Sequence, residues 1–396
     1  MSFNIANSGL NALSHQLSAI SNNIANSDTV GYKSMRAEFS SLYAGNQPQG
    51  VSVERIAQSI GKNGNLVAAS SDLDLAISGG GFFITKDNAG NTSYTRAGYF
   101  QLNNEGYLVN NAGKRVQGYS VDANGQLQTG IVGDLSVSNG TIPAKVSDQM
   151  KFAANLNADA PAMDDSRFDR NDNQTYNQVF RTPIYDSLGR QHSLEQYFVK
   201  TNEGQWQAHY YIDGNATEPA GQQFNFDANG LMVQPADKLQ INYSPAGASA
   251  MSIGTVYTGT TQFASDFNVT TNNTNGYASG ERNGRQVDAD GKIYGTYSNG
   301  QRQLQGQLVL ANFTNPDGLE STDGTAWAMT NQSGQPLLGT PQIGSYGSIK
   351  SSTLEQSNVD ITNELMGLMS AQRNYQANTK VISTNDQMMN ALFQAL

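Results

Sequence analysis

Two long helical periods sit at opposite ends of this chain, and they constrain its fold more than any other feature. Phe3, Ala6, Leu10, Leu13, Leu17, Ile20 and Ile24 recur at spacings of three and four, which puts all seven on one narrow helical stripe. At the other end Ile361, Leu368, Tyr375, Ile382, Met389 and Leu396 recur every seven residues, with Leu365 and Phe393 on the neighbouring line; this is the period of a coiled-coil seam. The positions between them, Gln372, Thr379 and Asp386, are polar. At 1.5 Å per residue such helices reach about 35 Å and about 58 Å and are expected to stand away from the body. A two-helix hairpin has only its own stripes to bury, and covering a dozen such side chains is worth roughly 20 kcal/mol gross. Neighbouring copies of the chain are the natural source of the missing cover.

Between the ends the period changes to two. Leu73, Leu75 and Ile77 alternate with Asp72, Asp74 and Ala76, and Trp206, Ala208, Tyr210 and Ile212 alternate with Gln207, His209 and Tyr211, as in half-buried strands. Leu304, Leu308 and Leu310 repeat the pattern. Turn signals follow at Asn88-Ala-Gly, Asn104-Glu-Gly, Asn124-Gly, Asn229-Gly, Asp290-Gly and Asn299-Gly. The fold class is therefore mainly β and multidomain, with antiparallel β domains nested between terminal α-helices that form a coiled-coil-like core. Breaks near Asn139-Gly, Pro143, Pro161 and Asp164–Asp172, and again near 270–290, predict four parts. These are 1–30 with 358–396 as the helical core, 31–70 as a connecting segment, 71–144 with 285–357 as an inner β domain, and 145–284 as an inserted outer β domain.

Charged residues make up only 14% of the 396 positions, where about a quarter is usual. The net charge of −10 is spread out, without a basic run to follow a phosphate backbone or an anionic membrane, so neither nucleic acid nor membrane insertion is expected. The absence of cysteine excludes disulfides and thiolate chemistry. The amino terminus carries no cleavable secretory signal, which by itself points to the cytoplasm.

Three blocks resemble the axial proteins of the bacterial flagellum, the rod and hook family. Ser21-Asn-Asn-Ile-Ala-Asn-Ser-Asp-Thr-Val-Gly-Tyr-Lys33 is similar to the family's signature loop, with Asn22, Asn23, Asn26, Thr29, Gly31 and Tyr32 as the marked positions. Asn and Gly suit it because both tolerate left-handed backbone angles and can end a helix. The second block runs from Leu73-Asp-Leu-Ala-Ile-Ser-Gly-Gly-Gly-Phe-Phe83 through Tyr94-Thr-Arg-Ala-Gly-Tyr-Phe100 and Leu108-Val-Asn to Val116-Gln-Gly-Tyr119. The third joins Ser357-Asn-Val-Asp-Ile361 to Ala371-Gln-Arg-Asn-Tyr-Gln-Ala-Asn-Thr-Lys-Val-Ile-Ser383.

The extra segment of 145–284 separates hook members from shorter rod members. The resemblance then implies a homopolymer, built head-to-tail into a curved tube that transmits torque from rod to filament. It implies export through the type III apparatus without signal cleavage, an extracellular place in the flagellum attached to the basal body, and contact with the distal rod, hook cap and hook-filament junction proteins. Subunit-interface residues would be Leu10, Leu13, Leu17, Ile20, Ile24, Ile361, Leu365, Leu368, Tyr375, Ile382, Met389 and Leu396. A distal rod or junction protein, or a secreted β-rich adhesin, are the alternatives.

No catalytic, cofactor or metal constellation stands out. Gly79-Gly-Gly81 lacks a following Gly-Lys-Ser/Thr and reads as a turn or bulge before a strand. Asp122-Ala-Asn-Gly, Asp227-Ala-Asn-Gly and Asp288-Ala-Asp-Gly place Gly fourth rather than sixth, so they read as hairpin turns and not calcium loops. His15, His192 and His209 belong to no metal-spacing motif, and Asp164, Asp165, Asp169 and Asp172 read as solvated charge. An enzyme is not expected, and no cofactor is called for.

Overall fold

The computed structural model describes residues 2–44, 47–122, 125–138, 140–322 and 325–395. Leu396, Asn124 and Asn139 lie outside the described residues, and so do the side chains of Phe3 and Phe393. The terminal helices are α1 (Ser2–Ala25) and α2 (Ile361–Ala395), 24 and 35 residues long, or about 36 Å and about 52 Å. Asp360 caps α2: its Oδ1 accepts from the Thr362 and Asn363 backbone N–H groups at 3.0 and 3.2 Å, two of the four donors that a helix start leaves unpaired.

The connecting segment 31–70 contains a long antiparallel hairpin, β1 (Met35–Ala44) with β2 (Gln47–Gln58). Val51 and Val53 alternate with polar residues there, but Arg55 breaks the apolar line before Ala57. The hairpin packs on α1, and Gly50 comes so close to Ser8 that the Ser8 hydroxyl accepts the Val51 N–H at 3.2 Å.

The chain forms two compact units, 1–139 with 284–296 and 302–396, and Gly140–Asn283 with Tyr297–Gln301. In the first unit Ser348 pairs with Ser78 in a two-stranded sheet, and distant pieces share a larger one, where Gly306 pairs with Ser120 and Leu310 with Phe83. Both faces of that sheet are covered. Phe83, Leu308 and Leu310 enter one core with Leu75, Val116 and Ile293, while Phe82, Ile84, Val309 and Ala311 enter another with Phe313 and Trp327. Two-sided burial explains the unbroken apolar runs Phe82-Phe-Ile84 and Leu308-Val-Leu-Ala311, which carry no alternation. For the same reason Ala76, read as the outward partner of Leu75 and Ile77, is buried.

In the second unit a ten-stranded sheet runs in the order Gln178–Tyr185, Gln191–Asn202, Gln205–Ile212, Asn215–Phe226, Leu239–Tyr243, Met251–Val256, Gln149–Asn157, with Thr261–Phe263 and Asn268–Thr274 also paired to the last and Met232–Gln234 to Asn215–Phe226. The sheet curls until its ends meet, where Thr182 Oγ1 donates to Asn272 Oδ1 at 2.9 Å. Gln205–Ile212 alternates without a fault, and Trp206, Ala208, Tyr210 and Ile212 all enter the core.

Six hairpin turns use one device. Asp87, Asn103, Asn110, Asp122, Asp186 and Asp227 each accept, through a side-chain oxygen, the N–H of the residue four places on, at 2.8–2.9 Å. The glycine three places on has φ between 74° and 93°, a region that favours glycine. The turn readings at Asp122 and Asp227 thus acquire a chemical reason. Among the described residues no cluster of three His, Cys, Asp or Glu could hold a metal, and no helix is long and apolar enough to cross a membrane.

Candidate functional site

The signature loop is the place where helix, hairpin and β body are tied together. Asn23, fully buried, makes four hydrogen bonds: Oδ1 accepts from the Met35 N–H at 2.8 Å and the Tyr32 hydroxyl at 3.2 Å, while Nδ2 donates to the Met35 carbonyl at 2.7 Å and Glu364 Oε1 at 2.9 Å. All of the amide's ordinary bonding capacity is used. Asn26 accepts from Thr29 Oγ1 at 3.1 Å and donates to the Asn22 carbonyl at 3.0 Å, holding the helix end closed. Gly31 has φ 73° and gives its N–H to the Glu355 carbonyl at 2.8 Å; a Cβ there would lie 2.5 Å from the Ala97 nitrogen. Burial, with the negative charge of Glu364, raises the Tyr32 phenol above its usual pKa.

Beneath this loop lies an ionic node that sequence reading did not single out. Glu355, fully buried, accepts from Lys33 Nζ at 2.6 Å and the Gly64 N–H at 2.9 Å through Oε1, and from Arg96 Nη1 at 3.2 Å through Oε2. Lys33 also donates to the Lys62 carbonyl at 2.7 Å, and Arg96 to the Gly79 carbonyl at 2.9 Å while its guanidinium stands 5.1 Å over the Phe82 ring. Burial lowers both cations from their usual pKa values, and Glu355 opposes that fall. Asn358 completes the tie: Oδ1 accepts the Ser34 N–H at 2.7 Å and Nδ2 donates to the Ser59 and Lys62 carbonyls at 3.1 and 2.8 Å. Lys33, Arg96 and Asn358 all stand in the blocks quoted above, but nothing in the sequence says that one carboxylate serves both cations.

The helix faces divide in two. Asn23 bonds Glu364, Ile20 meets Gly367 and Gly9 meets Asn378, so α1 and α2 run antiparallel in one register. The α2 face used is Glu364, Gly367, Ala371 and Asn378, small or polar, rather than the heptad line. Small residues let the backbones approach, and the buried amide fixes the register. On α1, Ala6, Ala12, Ala19 and Ile20 are buried, while Leu10, Leu13, Leu17 and Ile24 are half-buried. On α2 the heptad line stays open: Ile361, Leu365, Tyr375 and Met389 are 46, 46, 42 and 48% exposed, with Leu368 and Ile382 half-buried. The α1 stripe and the α2 line are therefore not partners within one chain. Contrary to the image of helices standing clear, α1 lies on the hairpin.

Four family descriptions match in chain order: "Flagella basal body rod protein" at 3–33, "Flagellar hook protein FlgE/F/G D1 domain" at 76–151, "Flagellar basal body protein FlaE D2 domain" at 155–277 and "Flagellar basal body rod FlgEFG protein C-terminal" at 350–395. With paired terminal helices leading through a buried node into β structure, these define an axial protein of the bacterial flagellum. The flagellar hook protein FlgE of Salmonella typhimurium is 37% identical over 400 residues, covering 99% of each chain, and that of Escherichia coli 36% over 405 residues, again 99% of each. The FlgE of Borreliella burgdorferi is 31% identical over 97% of each chain. A crystal structure of Helicobacter pylori flagellar hook protein FlgE2 shares the fold, with a TM-score of 0.58 at 15% identity over 73% of this chain and 100% of that one. The chain belongs to the flagellar hook protein family, a family of structural proteins.

Proposed function

We propose that the chain is the hook subunit that polymerises head-to-tail into a curved tube and acts as a flexible joint carrying torque from rod to filament. The observation that carries this reading is the open apolar line of α2, which its own α1 leaves uncovered although the two helices pair. A head-to-tail contact with axial rise does not close on itself, so it grows. Leu10, Leu13, Leu17 and Ile24 with Ile361, Leu365, Leu368, Tyr375, Ile382, Met389 and Leu396 form the contact between copies, whereas Ile20 serves chiefly within the chain. The loop residues Asn22, Asn23, Asn26, Thr29, Gly31 and Tyr32 set the angle at which the helices leave the β body.

The four-part division, with inner and outer β domains, belongs to the same proposal. So do the extracellular place, export by the type III apparatus without signal cleavage, and contact with distal rod, cap and junction proteins. The test is an electron micrograph of the concentrated full-length chain, which should show curved tubes. Replacing Ile361, Leu365, Tyr375 and Met389 together by serine should leave the circular dichroism unchanged, since these side chains are exposed, and abolish the tubes. Tubes of normal length from that variant would overturn the reading.

A further inference from the structure

The antiparallel register of α1 and α2 has an end. Continued from the contacts at Asn23, Ile20 and Gly9, it brings Ser2, where α1 begins, opposite Asn385. The last three turns of α2, Asp386 to Ala395, therefore run about 15 Å past Ser2. On this stretch Met388 is 62% and Met389 48% exposed. Midway along the helix pair lies a groove of about 370 Å³, lined by Gly9, Ala12, Leu13, Gln16, Phe39 and Ala377 among others. Its walls are mostly apolar, and glycine and alanine keep it open.

We infer that this groove receives the overhanging end of α2 from a second copy of the chain, with Met388 and Met389 as the inserted side chains. A lone chain is unable to make the contact itself. Gln16 falls opposite Ala371 on the helix register, and Met389 stands 18 residues beyond it, about 27 Å away along a straight helix. The flexible methionine side chain suits an irregular cleft. The inference rests on the polymer reading above and adds to it a particular donor and a particular acceptor.

Because the chain has no cysteine, a single engineered pair reports one contact. Tubes grown from a Gln16→Cys, Met389→Cys chain and oxidised should give a ladder of covalent multimers on a non-reducing gel, and neither single variant should give more than dimers. Gln16→Cys with Tyr43→Cys, at the exposed hairpin, serves as the rival; a ladder from that pair in place of the first assigns the groove to the hairpin and overturns the inference. In parallel, Ala377→Trp fills the groove from an exposed position. It should leave the monomer's circular dichroism intact and reduce tube yield at least tenfold; full yield overturns the inference. If the unmodified chain forms no tubes at all, the polymer reading itself fails, a different outcome from tubes that form without the cross-link.

Discussion

Glu355 is a carboxylate that two buried cations, Lys33 and Arg96, share, and the arithmetic at that residue is unforgiving. Bringing charges out of water costs several kcal/mol per ion, recovered only while each keeps its partner. Glu355→Gln keeps the shape but leaves Lys33 and Arg96 without their countercharge, so unfolding of the first unit in denaturant should shift by about 3–5 kcal/mol. Lys33→Met leaves the Arg96 contact in place and should cost less. Equal costs for the two variants would show that the node is not organised around the carboxylate. Asn23 is of the same kind: the loop motif marks the residue in sequence, yet its partners Met35 and Glu364 lie 12 and 341 positions away, and no local rule could have named the second.

At the scale of elements, turns are fastened to one another as well as closed. In the second unit His192 links two of them: Nδ1 lies 2.5 Å from Asp213 Oδ2, and Nε2 lies 3.3 Å from Asp186 Oδ2, which also accepts from Arg190 Nε at 2.7 Å. Burial opposes the imidazolium, but the Asp213 and Asp186 carboxylates prevail and raise its pKa, while both aspartates are held below their usual range despite burial. A histidine with a raised folded pKa contributes its full stability below about pH 6.5 and loses it as pH rises through the folded value. The aspartates act oppositely, contributing above about pH 3.9 and losing it as pH falls through their depressed values. The melting temperature followed by Trp206 fluorescence, with Trp327 replaced by Phe, should therefore decline as pH rises above about 6.5. His192→Gln should flatten that decline; an unchanged slope would mean another group carries it. Four of the six hairpins are marked by the Asn-Gly or Asn-x-Gly signals at Asn88, Asn104, Asn124 and Asn229, which leave those at Asn110 and Asp186 unmarked; the capping Asx three places before each glycine became meaningful only once its side-chain oxygen was seen on an N–H group.

For the molecule as a whole the polar positions of the α2 line matter most in the assembled state. Gln372, Thr379 and Asp386 are exposed in the single chain, so replacing all three with leucine should leave its folding unchanged. In the proposed polymer they would interrupt the apolar seam, favouring register over maximal stability. The triple variant should give stiff or misassembled tubes, measured as lost curvature in micrographs and lost swimming; normal curvature and motility would refute the register role. The helices, their lengths, the strand Gln205–Ile212 and the family were all legible, because each is written in a local period or a contiguous motif. Other features took the folded chain to decide: which face of α2 meets α1, that 35–58 is a hairpin on α1, and that Lys33, Arg96 and Glu355 meet. The physical reason is that periodicity fixes which side chains share a face, while choosing the partner for that face depends on close approach at Gly9, Gly367 and Ala371 and on buried polar groups finding each other across hundreds of residues.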